Sequence, residues 1–215
     1  TKVKELLDDV RAQMKAAEAQ IALLEKLLEQ EQKKAATGVP AFVADGLRFV
    51  SFGRTDSVAP HHWVDTDNVQ GGRIAAEHLI GLGHRSIGFV GWPRGSWAGD
   101  DRHEGWRAVM SDHRLPHDER RVVRTLNDRS ASAAAVERLL RDQPDLTGLV
   151  AASDELALGA LTAAAALERE LSVVGYDDSS VARLSTVDLT TVAQDAGELA
   201  RTAVSRLRAR LEDDA

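Results

Sequence analysis

The 215 residues include no cysteine, which excludes a disulfide framework and any thiolate metal site. No apolar run is long enough to cross a bilayer and no signal-peptide pattern is visible, so a cytoplasmic protein with no membrane partner is expected. Two further absences are positional. Lysine occurs only at Lys2, Lys4, Lys15, Lys26, Lys33 and Lys34, and nowhere beyond. Glycine is missing before Gly38, and all 16 glycines follow. A single domain seldom changes its basic residue type completely at one point. The chain therefore reads as two units of different origin, a helical leader over residues 1–36 and an Arg-rich body after it.

Charge divides in the same way. The leader carries seven basic and seven acidic side chains, whereas the body carries 20 Arg against 27 Asp and Glu, the whole of the net charge of −7. An acidic body without a basic stripe does not make a nucleic-acid-binding surface. Catalytic signatures are missing too: there is no GxSxG elbow, P-loop, HExxH or GxGxxG. His61 and His62 are adjacent and cannot share a helix face as metal ligands, and His103, His113 and His117 lack a carboxylate at ligand spacing. The pairs Asp100-Asp101 and Asp177-Asp178 are chain neighbours whose side chains point apart. No enzyme, no catalytic or metal-binding residue and no cofactor is expected.

What is present begins with a heptad pattern. Val3, Leu7, Val10, Met14, Ala17, Ile21, Leu24 and Leu28 alternate at spacings of four and three, the a/d seam of a left-handed coiled coil. Neither Gly nor Pro interrupts it, and good helix formers dominate. Leu6, Leu23 and Leu27 widen the apolar face, so the same helix could also bury itself against a sheet.

From Leu47 onward β-like runs alternate with helical stretches. The runs are Leu47–Gly53, Trp63–Asp65, Ser86–Gly91, Val122–Leu126, Gly148–Ala152, Leu171–Tyr176 and Leu189–Val192. Helical patterns lie at 68–82, 101–113, 130–142, 154–169 and 195–211. Near-continuous apolar strands such as SIGFVG, GLVAAS and LSVVGY suit parallel strands buried on both faces. Their alternation with helices predicts an α/β fold with a doubly wound parallel sheet. Such sheets bind ligands where loops converge at the carboxyl ends of strands. The loops after Val90, Ala152, Tyr176 and Val192 hold Trp97, Arg102, Ser153, Asp154, Asp177 and Gln194. Planar polar groups beside indole rings suit a polyhydroxylated ligand, because they bond pairs of hydroxyls while a ring covers the apolar sugar face.

The segments VDTDNVQGGRIAAEHLIGLGHRSIGFVG (64–91), RHEGW (102–106), LVAASDELALGAL (149–161), LSVVGYDDSSVARLSTVDLTTVAQD (171–195) and ELARTAVSRLRARL (198–211), in this order, resemble the sugar-sensing core of LacI/GalR-family transcription regulators. The resemblance covers about residues 38–212. It implies a type I periplasmic-binding-protein-like core of two lobes with a carbohydrate effector between them, a homodimer, and operator DNA bound only through a further domain that is absent here. By motif, Arg102, Asp177 and Gln194 would bond the effector. Ser153 stands where asparagine is common, Asp154 follows it, and Trp97 would supply a stacking ring. Asp67-Asn68 matches the start of a helix, as cap or as ligand contact.

The resemblance also implies a division into a complete C-terminal lobe at 84–186 and a partial N-terminal lobe at 37–83 and 187–215. The family's opening βαβαβ portion, helix-turn-helix and hinge helix have no counterpart, and the leader stands in their place, where it would cover an open sheet edge. An alternative is an engineered chimera or scaffold in which a helical segment replaces part of the repressor core, with assembly rather than sensing as its role.

Overall fold

The computed structural model describes residues 39–44, 46–55, 60–183 and 188–212. The heptad leader lies outside the described residues. Strands β1 (Val50–Phe52) and β2 (His62–Val64) form a two-stranded sheet. The body then alternates: α1 (Asn68–Gly81), β3 (Ile87–Gly91), α2 (Trp97–Asp112), β4 (Val122–Arg124), α3 (Arg129–Asp142), β5 (Gly148–Ala151), α4 (Asp154–Ala166), β6 (Ser172–Asp177), β7 (Thr191–Ala193) and α5 (Ala196–Glu212). A single 3₁₀ turn, Glu119–Arg121, leads into β4.

Strands β3 to β7 make a five-stranded sheet in the order β4-β3-β5-β6-β7, with every pairing parallel. From β3 the chain steps outward to β4, then crosses back to β5 and continues to β6. Right-handed crossovers therefore place α2 on one face and α3 and α4 on the other. The packing agrees, with α1 against α2 and α3 against α4. Every residue of β3 and β5 is buried, because helices cover both faces. Phe89, Trp106, Met110, Leu149 and Leu156 fill the centre. Each contributes about 1.5–3 kcal/mol of burial free energy.

Local chemistry sets the helix starts. Asp67, Asp128 and Ser153 accept hydrogen bonds from the backbone N–H groups of Gln70, Ala131 and Leu156, satisfying donors that a helix leaves open. The α1–α2 crossing is set by glycine. A Cβ on Gly72 would overlap the carbonyl oxygen of Arg102, and one on Gly105 would overlap that of Val69. The two backbones come this close only without side chains between them.

The described residues form two compact units, one of residues 51–55 and 63–205, the other holding the remainder. Helix α1 buries Ala75, Ala76 and Leu79 in the unit of the five-stranded sheet. Strand β7 joins the same unit by pairing with β6, from Gly175↔Thr191 to Asp177↔Ala193. Among the described residues, no helix is long and apolar enough to cross a membrane.

Candidate functional site

The order in which strands are added reverses at β3, and the carboxyl edge beside such a switch point is where a doubly wound fold takes a ligand. Arg102 lies in the second turn of α2, with its guanidinium buried at the carboxyl ends of β5 and β6. Its Nε donates to Asn68 Oδ1 at 2.8 Å, and its Nη1 donates to Ala152 O at 2.6 Å and to Asp177 Oδ1 at 3.5 Å. The guanidinium lies 3.6 Å above the Tyr176 ring and 5.2 Å from that of Trp92. Such stacking suits a planar, delocalised cation, and lysine would not reproduce it.

Asp177 ends β6 with φ of +112°, a left-handed conformation rare outside glycine, and Asp178 follows at +50°. Strain of this kind costs on the order of 1–3 kcal/mol and persists where the surroundings impose it. Here the restraints are Arg102 and Gln194. Gln194 comes directly after β7, and its Nε2 donates to Asp177 Oδ1 at 2.6 Å. Its Oε1 accepts from Thr66 Oγ1 at 3.3 Å. Asn68 donates in turn to Asp65 Oδ1 at 3.0 Å. Arg102, Asp177 and Gln194, far apart in sequence, thus form one bonded cluster.

Burial lowers the Arg102 pKa, opposed by Tyr176, Asp177 and Asp65. Burial raises that of Asp177, opposed by Arg102 and by the Gln194 bond. The guanidinium stays charged regardless. Its Nη2 carries none of the bonds described above and is the free end of the group. Free N–H donors, a carboxylate and an amide form and release hydrogen bonds to hydroxyls without covalent chemistry. Among the described residues, no group of three His, Cys, Asp or Glu side chains could hold a metal.

The remaining candidates sit differently. Ser153 is buried and its hydroxyl is committed, accepting from Leu156 N at 3.3 Å and donating to Asn127 Oδ1 at 2.6 Å. Asp154 is buried with both carboxylate oxygens occupied, by Ser179 N at 2.7 Å and Thr191 Oγ1 at 2.5 Å. It ties the loop after β6 to β7. Trp97 is no loop residue but the first residue of α2, and the Arg54 guanidinium lies 4.7 Å over its ring. That cation covers a face expected to receive a sugar. Asp67 acts as a cap, while Asn68 orients Arg102. The paired carboxylates do point apart: Asp100 bonds Arg124 and Asp101 bonds Arg54, while Asp178 bonds Arg183.

Sequence reasoning missed Asp65, Thr66, Tyr176 and Asn127. The first three lie inside the quoted segments, beside residues that were singled out, and that proximity was the available signal. Asn127 lies in the loop after β4, the one strand-end loop in this sheet that was not singled out.

An α/β module of periplasmic-binding-protein-like type is what this fold defines. Residues 76–215 match the periplasmic binding protein-like domain family. The chain belongs to that family, as the core domain of a LacI-type regulator. It is similar to the transcriptional regulator CelR of Thermobifida fusca, 35% identical over 172 residues covering 75% of this chain and 51% of CelR. It is similar to the lactose operon repressor of Klebsiella pneumoniae at 34% identity, covering 66% of this chain and 40% of the repressor. Among solved structures, a LacI-family regulatory protein from Chloroflexus aggregans superposes with a TM-score of 0.74 at 30% identity, covering 81% of this chain and 64% of that one. A CelR–cellobiose complex superposes with a TM-score of 0.69 at 34% identity, covering 77% and 54%. A LacI-family regulator from Enterococcus faecium with bound ribose gives 0.71 at 27%, covering 80% and 65%. These relatives are transcription regulators, not enzymes. The chain spans about half the length of the curated relatives it matches.

Proposed function

We propose that this protein binds a sugar-like effector reversibly at the Arg102–Asp177–Gln194 cluster, as the sensing core of a LacI-type repressor. The observation that carries this reading is the convergence of those three side chains at the carboxyl edge of the sheet. Arg102 would donate through Nη2, Asp177 would accept through Oδ2, and Gln194 would set the carboxylate's orientation. Ser153 and Asp154 act through what they hold in place. Trp97 reaches a sugar ring only if Arg54 moves aside or the ring's other face is used. Operator DNA would be engaged through a domain other than this one, in a homodimer of cytoplasmic location. The alternative role in assembly rests on the heptad pattern of residues 3–28.

Isothermal calorimetry against cellobiose, ribose and glucose tests the reading. Binding is expected for at least one sugar. Arg102→Ala should abolish it, and Asp177→Asn should weaken it roughly 10- to 100-fold, since a hydrogen bond to a charged group contributes about 1.5–3 kcal/mol. Unchanged affinity in both variants would remove the assignment.

A further inference from the structure

Arg54 stands just beyond β1, and the glycine before it sets its position. Gly53 takes a φ of +81°, its N–H donates to Val64 O at 2.8 Å across the β1–β2 pair, and its carbonyl accepts from Ser51 Oγ at 3.1 Å. With both backbone groups of Gly53 held, the next side chain leaves from a fixed point. It reaches α2 and meets two residues there at once. The Arg54 guanidinium lies 4.7 Å over the Trp97 ring, and its Nη2 donates to Asp101 Oδ2. Trp97 and Asp101 are one turn apart in α2, so ring and carboxylate stand side by side on one helix face. Both members of the ion pair are partly withdrawn from water, with side-chain exposures of 33% for Arg54 and 25% for Asp101. Trp97 itself stays 43% exposed, within reach of a ligand. The residue after Asp101 is Arg102, the buried centre of the cluster.

We propose that Arg54 is an autoinhibitory side chain, competing with the effector for the Trp97 ring and anchored in place by Asp101. This rests on the sugar-binding reading and deepens it by giving that site a built-in competitor. A planar guanidinium and the apolar face of a sugar seek the same surface of an indole, one through its charge and the other through its C–H groups. A ring face holds one of them at a time. Asp101 strengthens the block, because displacing Arg54 also breaks an ion pair. The binding-competent fraction of the chain is the fraction in which Arg54 has swung away, and apparent affinity is reduced by that fraction.

Calorimetry on the full chain with cellobiose and ribose, both uncharged, tests this. Arg54→Ala should tighten binding of a sugar that stacks on Trp97 by about 3- to 30-fold, the range a partly exposed cation–ring contact supplies. Structural damage would weaken binding instead, so the sign separates the two. Asp101→Asn, which releases the anchor and keeps the cation, should give a smaller gain. In a Trp97→Leu background, Arg54→Ala should bring no gain, because the contested surface is gone. Added salt screens the ion pair, so the parent should bind more tightly as sodium chloride is raised and Arg54→Ala should not respond. Unchanged or weaker binding in Arg54→Ala, alongside loss in Asp177→Asn, overturns this proposal alone, as does an equal gain without the tryptophan. A sugar bound by Arg54→Ala and not by the parent supports it. Neither sugar bound by either chain overturns the functional reading, and this proposal with it.

Discussion

Asp177 combines a left-handed backbone, partial burial and two restraining partners, and its protonation state governs what it can offer a ligand. Burial raises its pKa above the usual carboxylate range, near 3.9, with Arg102 and Gln194 pulling it back. Only the ionised form accepts from hydroxyls on every lone pair. Effector affinity should therefore fall as pH drops, starting above the pH at which an ordinary aspartate protonates. Asp177→Asn should bind more weakly at neutral pH and lose that dependence. Calorimetry between pH 4 and 7.5, roughly spanning that range, checks both. His103 provides a second titration with a different readout. Its ring packs between Phe89 at 5.1 Å and Trp106 at 5.4 Å, and its buried Nε2 has no hydrogen-bond partner. Burial, and next Arg124, push its pKa down, with Glu119 and Glu104 opposing and Arg94 assisting. The unfolded chain then takes up a proton first as pH falls. The stability this residue contributes is complete above about 6.5 and lost progressively below it, down to the depressed folded value. Chemical denaturation between pH 7.5 and 5 should show that decline, and His103→Phe should flatten it whatever its absolute stability.

The elements place these residues, and the α1–α2 crossing places Arg102. Gly72→Ala or Gly105→Ala forces the two backbones apart, costing about 1–3 kcal/mol, and moves the Arg102 carbonyl itself. Both midpoint and effector affinity should drop. Gly81→Ala is the control: nothing lies within 4 Å of its added Cβ, at the end of the same helix. There the substitution should stabilise by up to about 1 kcal/mol. Thermal denaturation of the three variants separates packing from propensity. At this scale the sequence was largely legible. Continuous apolar runs marked β3, β5 and β6, and the cap at Asp67 marked the start of α1. Helix α2 begins earlier than its periodicity suggests, at Trp97. Gly91, Pro93, Gly95 and Gly99 make that stretch read as a loop, although Asp100 accepts from Gly95 N at 2.8 Å in its first turn. The shared location of Arg102, Asp177 and Gln194 was legible because strand ends converge. Their individual partners were not. Asp154 tied to Ser179 and Thr191, Ser153 to Asn127, and Arg54 over Trp97 are choices made by tertiary geometry between distant segments.

For the whole molecule, the proposed sugar site and the heptad pattern proposed for assembly fall on different parts of the sequence. Every residue of the cluster, with Asn127, Ser153 and Asp65, belongs to the unit of residues 51–55 and 63–205. The heptad seam, by contrast, occupies residues 3–28 of the sequence. Removing residues 1–34 should therefore leave sugar affinity within about twofold of the parent, because no bond of the cluster is lost. The same deletion should abolish self-association if the seam is what pairs two copies. A coil of nearly four heptads, with Leu, Ile, Val, Met and Ala at its a/d positions, holds a dimer only through mass action, so the parent should shift toward monomer on dilution. Sedimentation velocity over a dilution series, run beside calorimetry on both chains, reads the two properties independently. A dimer that survives the deletion would place the contact on the body. A parent that is monomeric at every concentration would remove the homodimer from the proposed function. Lost sugar affinity in the shortened chain would mean that the leader supports the cleft rather than the pairing.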